Sequence, residues 1–146
     1  MTETRESTAS FTAEERAAMQ ERAAEVRAAR KRGKGADAEA EVLAKIAELP
    51  DDDRAMAERV HAIVREVAPG LAPRTWYGMP AYGAPKAVLF FQPGSKFGSR
   101  YASLGFNEDA RLDDGAMWPT AYALTRVGAA EEAAIRELVR RAAGEG

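Results

Sequence analysis

At Pro69–Gly70 the chain changes character, and that change limits the folds open to it. Before it, apolar residues recur at helical spacing. Met56, Val60, Ile63, Val64 and Val67 stand at i, i+4, i+7, i+8 and i+11, which is one face of a helix. After it, glycine and proline become frequent and aromatics appear. Of the 11 aromatic residues, ten follow Gly70 and only Phe11 precedes it. Helices first, then strands, predicts an α+β fold rather than alternating βαβ units.

The helical half divides into three segments. Thr12 with Glu15 makes a T-x-x-E capping box, so a helix starts there and runs from Ala13 to about Lys31. Its apolar face is thin, with Met19, Ala23 and Val26 at helical spacing and otherwise mainly alanine. Such a helix packs loosely or swings free. Residues 1–10 read as a disordered tail. The basic turn "RKRGKG", Arg30–Gly35, reads as a solvated helix end, where cations offset the dipole and glycine breaks the helix. A patch for phosphate or nucleic acid is the other reading, and the acidic "DAEAE" that follows weighs against it. The second helix covers about Asp37–Leu49, with Val42, Leu43, Ile46 and Leu49 facing the core. Pro50 ends it. Asp51–Asp53 can cap the third helix, which continues to about Val67.

The second half offers four strands: about Arg74–Tyr77, Ala87–Gln92, Arg100–Gly105 and Ala121–Arg126. "AVLFF" is a short continuous apolar run, read as a buried strand. "RYASLGF" alternates, with Ala102, Leu104 and Phe106 on one side and Tyr101 and Ser103 on the other. The short connections "GAPK" and "PGSKFGS" favour antiparallel neighbours. A last helix, Ala129–Ala142, carries Ile135, Leu138, Val139 and Ala142 as its stripe. Its first turn is acidic (Glu131, Glu132) and its last basic (Arg140, Arg141), as the dipole favours. The expectation is a four-stranded antiparallel sheet covered by helices on one face, with an extra N-terminal helix. Residues 1–10 are then a tail, 11–36 a helical extension and 37–146 the α+β domain.

Composition removes several kinds of chemistry. The chain of 146 residues has no cysteine and one histidine. Disulfides, thiolate metal sites and cysteine nucleophiles are excluded, and a Ser-His-Asp site has little material. No GxGxxG or Walker pattern is present. The net charge of −2 gives no global pull toward nucleic acid or anionic membrane. The polar start "MTETRESTAS" lacks a signal-peptide core. No apolar run approaches the roughly 20 residues that span a bilayer. A cytoplasmic protein with no membrane partner is the expectation.

Several stretches point to one family. "TWYGMPAY", then "FF" on the next strand, "YASLGF", "LDDG", "MWPTAYAL" and the helix "AAEEAAIRELV" together resemble the YdhG-like domain family. The resemblance covers roughly Leu43–Ala142. It implies a small bacterial α+β domain with an antiparallel sheet flanked by helices, and no established catalytic residues. One member is described as a frataxin-like iron chaperone, so the resemblance also implies iron as a cargo. The first helix and the basic turn look like an extension that many simpler members lack.

Candidate sites follow from residue chemistry. Iron handling needs oxygen or imidazole ligands that meet in space. Asp51, Asp52 and Asp53, with a helix-face carboxylate such as Glu58, supply the acidic surface for it. Glu131–Glu132 and "LDDG" have plainer roles, at a helix start and in a turn. His61 neighbours Val60, with Glu58 and Arg65 within a turn of it. It reads as a polar residue at the edge of the buried stripe, with a base or ligand as the alternative. Lys86, Lys96, Arg100 and Arg111 fall among aromatics, as single-strand binders require. The absent RNA-binding sheet motif and the acidic balance argue against nucleic acid.

The richest stretch is "TWYGMPAYGAPK", Thr75–Lys86. Trp76, Tyr77, Met79, Pro80 and Tyr82, with Trp118 and an Arg100 anchor, are the expected ligand-binding residues of an aromatic pocket. The competing reading is a structural corner. Either Met79–Pro80 or Trp118–Pro119 could be cis. The leading expectation is therefore a small non-enzymatic domain that binds a small molecule or partner protein. One alternative is an enzyme using Tyr77, Tyr82, Asp113 or Asp114 for acid–base chemistry. The other is an interaction module whose first helix packs on a second copy or another protein.

Overall fold

Thr12 and Glu15 do close a capping box. The Thr12 N–H donates to Glu15 Oε1 at 2.9 Å, and the Glu15 N–H donates to Thr12 Oγ1 at 3.0 Å. From there the computed structural model describes residues 12–32 and 36–144, apart from the side chains of residues 27–32. The tail expected over residues 1–10 lies outside the described residues, as do residues 33–35 of the basic turn. Helix α1 spans Ala13–Arg32, α2 Ala36–Ala47, α3 Asp51–Val67 and α4 Ala129–Ala142. The apolar face expected on α1 is not buried: Met19 and Ala23 are exposed and Val26 is half-buried. Leu43 is 48% exposed, because it stands about 100° round α2 from the buried Val42.

Between α3 and α4 lies a five-stranded sheet, where four strands were expected. Its strands are β1 Pro73–Trp76, β2 Met79–Tyr82, β3 Leu89–Gln92, β4 Ala102–Phe106 and β5 Ala121–Leu124. They run in sequence order, each antiparallel to the next. The missed strand is β2, which Pro80 disguises as loop. Trp76 pairs with Met79 across a two-residue turn in which Tyr77 has φ 53° and Gly78 φ 77°. Two positive φ values make a type I′ hairpin, for which glycine at the second position is well suited. The closing pair of such a hairpin carries the hydrogen bonds, so the next pair, Thr75–Pro80, requires none from Pro80. The ladder to β3 pairs only Ala81 with Phe90 and Tyr82 with Leu89. Proline therefore sits in an inner strand without costing a ladder bond.

Period-two alternation sorts the sheet into two faces. Tyr82, Leu89, Phe91, Leu104, Phe106 and Leu124 join Val42 and Ile46 of α2, Val60, Ile63 and Val64 of α3, and Ile135 and Val139 of α4 in one core. The opposite face presents Arg74, Trp76, Met79, Ala81, Phe90 and Gly105. There the Phe90 ring lies over Gly105, its cross-strand partner, and its centroid is 5.2 Å from that of Trp76. Among the described residues the cis peptide bond is Ala84–Pro85, and Met79–Pro80 and Trp118–Pro119 are trans.

Candidate functional site

His61 faces inward from α3 and is 8% exposed. Its Nδ1 lies 2.9 Å from the Tyr82 hydroxyl, and its Nε2 lies 2.9 Å from Glu39 Oε2. Arg65 Nε donates to the same oxygen at 3.2 Å. An ionised carboxylate only accepts, so Nε2 carries a proton, and in the neutral ring Nδ1 then accepts from Tyr82. The bonds then run in one direction, from Tyr82 through His61 to Glu39. The hydrogen bond from His61 lowers the Glu39 carboxyl below the usual carboxylate range; burial opposes this and the Arg65 charge reinforces it. Burial, with the Glu39 charge behind it, pushes the Tyr82 hydroxyl well above the usual tyrosine range. Tyr82 has no exposed surface. The chain of groups resembles an acid–base relay, but no substrate reaches its hydroxyl. Its effect is to bind β2 to α3 and α2.

The residues expected to form one aromatic pocket are divided by the sheet. Pro80 and Tyr82 lie on the helix-facing side and are fully buried. Trp76 and Met79 lie on the other side, and Met79 is buried. Tyr77 stands at the hairpin tip with its ring edge-on to Trp76, centroids 5.2 Å apart. Arg100 stacks on Tyr101, 5.4 Å from the ring centre, beside Asp51–Asp53 in a separate concavity. Trp118 lines a third concavity with Phe106, Met117 and Asp113. Of the residues offered for acid–base chemistry, Tyr82 is buried, Tyr77 and Asp114 are exposed, and Asp113 lines the Trp118 concavity.

What does assemble is a cleft of about 350 Å³ beside Trp76. Arg22 of α1, Arg74 and Trp76 of β1, Lys86 and the Asn107–Asp109 segment line it. Arg74 and Trp76 are two residues apart on one strand and so share a face. The Arg74 guanidinium is half-buried and donates to the Pro85 carbonyl at 2.7 Å and the Gly83 carbonyl at 3.4 Å. Among the described residues no carboxylate forms an ion pair with it. Burial, and then the Arg22 charge, lowers its affinity for its proton, against a smaller opposing effect of the Glu25 charge. Arg22 is also half-buried and lies 5.9 Å from the Tyr77 ring centre. The cleft's two carboxylates, Glu108 and Asp109, are exposed at the rim. Glu25 of α1, itself largely buried, stands 3.7 Å from Arg22 and its charge also acts on Arg74, so the two half-buried guanidiniums share one carboxylate and keep a net positive charge beside Trp76.

No family model, curated protein or solved structure matches this chain. Functional reading therefore rests on its own residues. The three aspartates expected to offer a metal surface do not converge. Asp51 bonds Arg54 at 2.9 Å, Asp52 is exposed, and Asp53 turns inward to Ser95. Rather than capping with a side chain, they fill the first turn of α3 behind Pro50. Among the described residues no three histidine or carboxylate groups stand together as a metal site. No helix there is long and apolar enough to cross a membrane. The sequence reading does not single out Arg74, although its spacing from Trp76 is a usable signal. Arg22 arrives from a distant helix and has no such signal.

Proposed function

We propose that this chain is a small non-enzymatic binding domain that holds an anionic, planar small molecule in the Trp76 cleft. The observation that carries the reading is the half-buried pair Arg74 and Arg22. They lie beside an aromatic ring, the hydrogen bonds of Arg74 go only to carbonyls, and Glu25 beside Arg22 offsets only one of the two charges. An acidic group would relieve the repulsion between them, and a ring would stack on Trp76. The resemblance to YdhG-like domains adds iron as a competing cargo. The carboxylates it would use, Asp51–Asp53, line a different concavity from Trp76, so we rest the reading on the cleft.

The test uses 2-naphthoate and its uncharged isostere 2-naphthamide. Trp76 fluorescence is read in a Trp118→Phe background. Naphthoate binds at least tenfold more tightly than the amide, and Arg74→Gln erases that preference, as loss of one charge-assisted bond predicts (about 1.5 kcal/mol or more). Equal affinity for the two compounds overturns the reading.

A further inference from the structure

Helix α1 is attached differently from the rest of the molecule. Helices α2, α3 and α4 each place buried apolar residues in the core. On α1, Met19 and Ala23 face solvent and Val26 is half-buried, and the contacts of its described side chains are largely ionic. Glu21 Oε1 bonds Lys96 Nζ at 2.5 Å, and Oε2 bonds Lys45 Nζ at 3.1 Å. Burial raises the Glu21 carboxyl, yet the two lysines outweigh it and hold it below the usual carboxylate range. One turn on, Glu25 Oε2 accepts the Gly78 N–H of the hairpin at 2.9 Å.

The seal beneath α1 is incomplete. A gap of about 280 Å³ separates it from α2, lined by Ala24, Ala44 and Thr75 among others. Among the described residues Glu25 Oε1 is buried without a hydrogen bond, with Arg22 Nη1 3.7 Å away. A carboxylate oxygen so placed loses its water and gains little in return. A helix held by ion pairs, with little apolar burial, opens locally at low cost and responds to salt.

The same helix supplies Arg22 to the Trp76 cleft. We propose that α1 is a lid whose docking brings Arg22 onto the ligand's acidic group, making Arg22 the residue that couples ligand charge to lid closure. The inference rests on the cleft reading above. An anion between Arg22 and Arg74 favours the docked lid, and by reciprocity the docked lid favours the anion. Undocking leaves Trp76 and Arg74 in place and carries Arg22, with its neighbour Glu25, away from the cleft.

Hydrogen exchange read by mass spectrometry on the full chain tests this. In wild-type protein, α1 amides exchange faster at high salt than at low salt while α3 amides do not change. Glu21→Gln speeds α1 exchange at low salt. Saturating 2-naphthoate slows α1 exchange in wild type but not in Arg22→Gln, whose affinity for naphthoate falls about tenfold. If α1 exchange ignores both salt and Glu21→Gln, the lid is overturned. Naphthoate binding without slowed α1 exchange also overturns the lid but leaves the cleft reading standing. Naphthoate failing to bind wild type overturns both.

Discussion

The Tyr82 hydroxyl and His61 Nδ1 meet at 2.9 Å inside the core, joining an inner strand to the most apolar helix face. In the neutral ring, with Nε2–H given to Glu39, Nδ1 is an acceptor for which the Tyr82 hydroxyl is the donor. Tyr82→Phe therefore leaves a buried acceptor without a donor. We expect a loss of about 1–2 kcal/mol in urea denaturation. A double-mutant cycle with His61→Leu should show coupling of about 0.5 kcal/mol or more. Additive single losses would mean that the contact contributes nothing.

The acidic end of the stability profile follows from Glu39. Its folded-state value is lowered, so in that window the unfolded chain binds more protons than the folded one. Stability then rises with pH. The contribution is complete above the ordinary carboxylate value of about 4.3 and is lost as pH falls through the lower folded value. Urea midpoints measured from about pH 6 to 3 should fall less steeply for Glu39→Gln than for wild type. An unchanged slope would show that Glu39 does not titrate against His61 and Arg65.

How much of this was legible in the sequence depends on where the information lies. The helices α3 and α4 were readable in their stripes and, for α4, in both ends, because stripes and end charges are local patterns, whereas the three aspartates expected to cap α3 form its first turn. Strand β2 was hidden by Pro80, whose missing donor marks loop until the register shows that no bond is asked of it. The aromatic density of Thr75–Lys86 was visible, but its division was not. Knowing that Met79–Tyr82 is a strand would have sent Trp76 and Tyr82 to opposite faces at once. His61 was correctly placed at the edge of the stripe. Its partner Glu39 belongs to another helix, and Arg22 to yet another, so both needed the tertiary structure.

The three adjacent aspartates should behave differently from one another. Asp53 Oδ2 accepts from the Ser95 N–H at 3.1 Å and the Ser95 hydroxyl at 2.5 Å, and Asp53 is 7% exposed. Asp52 is exposed. Asp53→Asn removes a charged acceptor and should cost about 1–3 kcal/mol. Asp52→Asn should stay within about 0.5 kcal/mol of wild type. Thermal unfolding followed by circular dichroism separates the two. Equal effects would mean that the cluster acts through its summed charge at the start of α3 and not through Ser95.

Gly105 supports the cleft from behind. It pairs with Phe90 across β3 and β4, and a Cβ there would collide with the Phe90 ring. That ring in turn packs against Trp76. Gly105→Ala should therefore push Phe90 toward Trp76 and cost about 1–3 kcal/mol by overpacking. Trp76 emission, read with Trp118→Phe, should shift with it. In a Phe90→Ala background the collision is gone, and the added methyl restricts only the unfolded chain. There Gly105→Ala should be neutral or stabilising by about 0.5–1 kcal/mol. A loss that persists without the Phe90 ring would place the strain in the backbone of β4 and not in the aromatic stack.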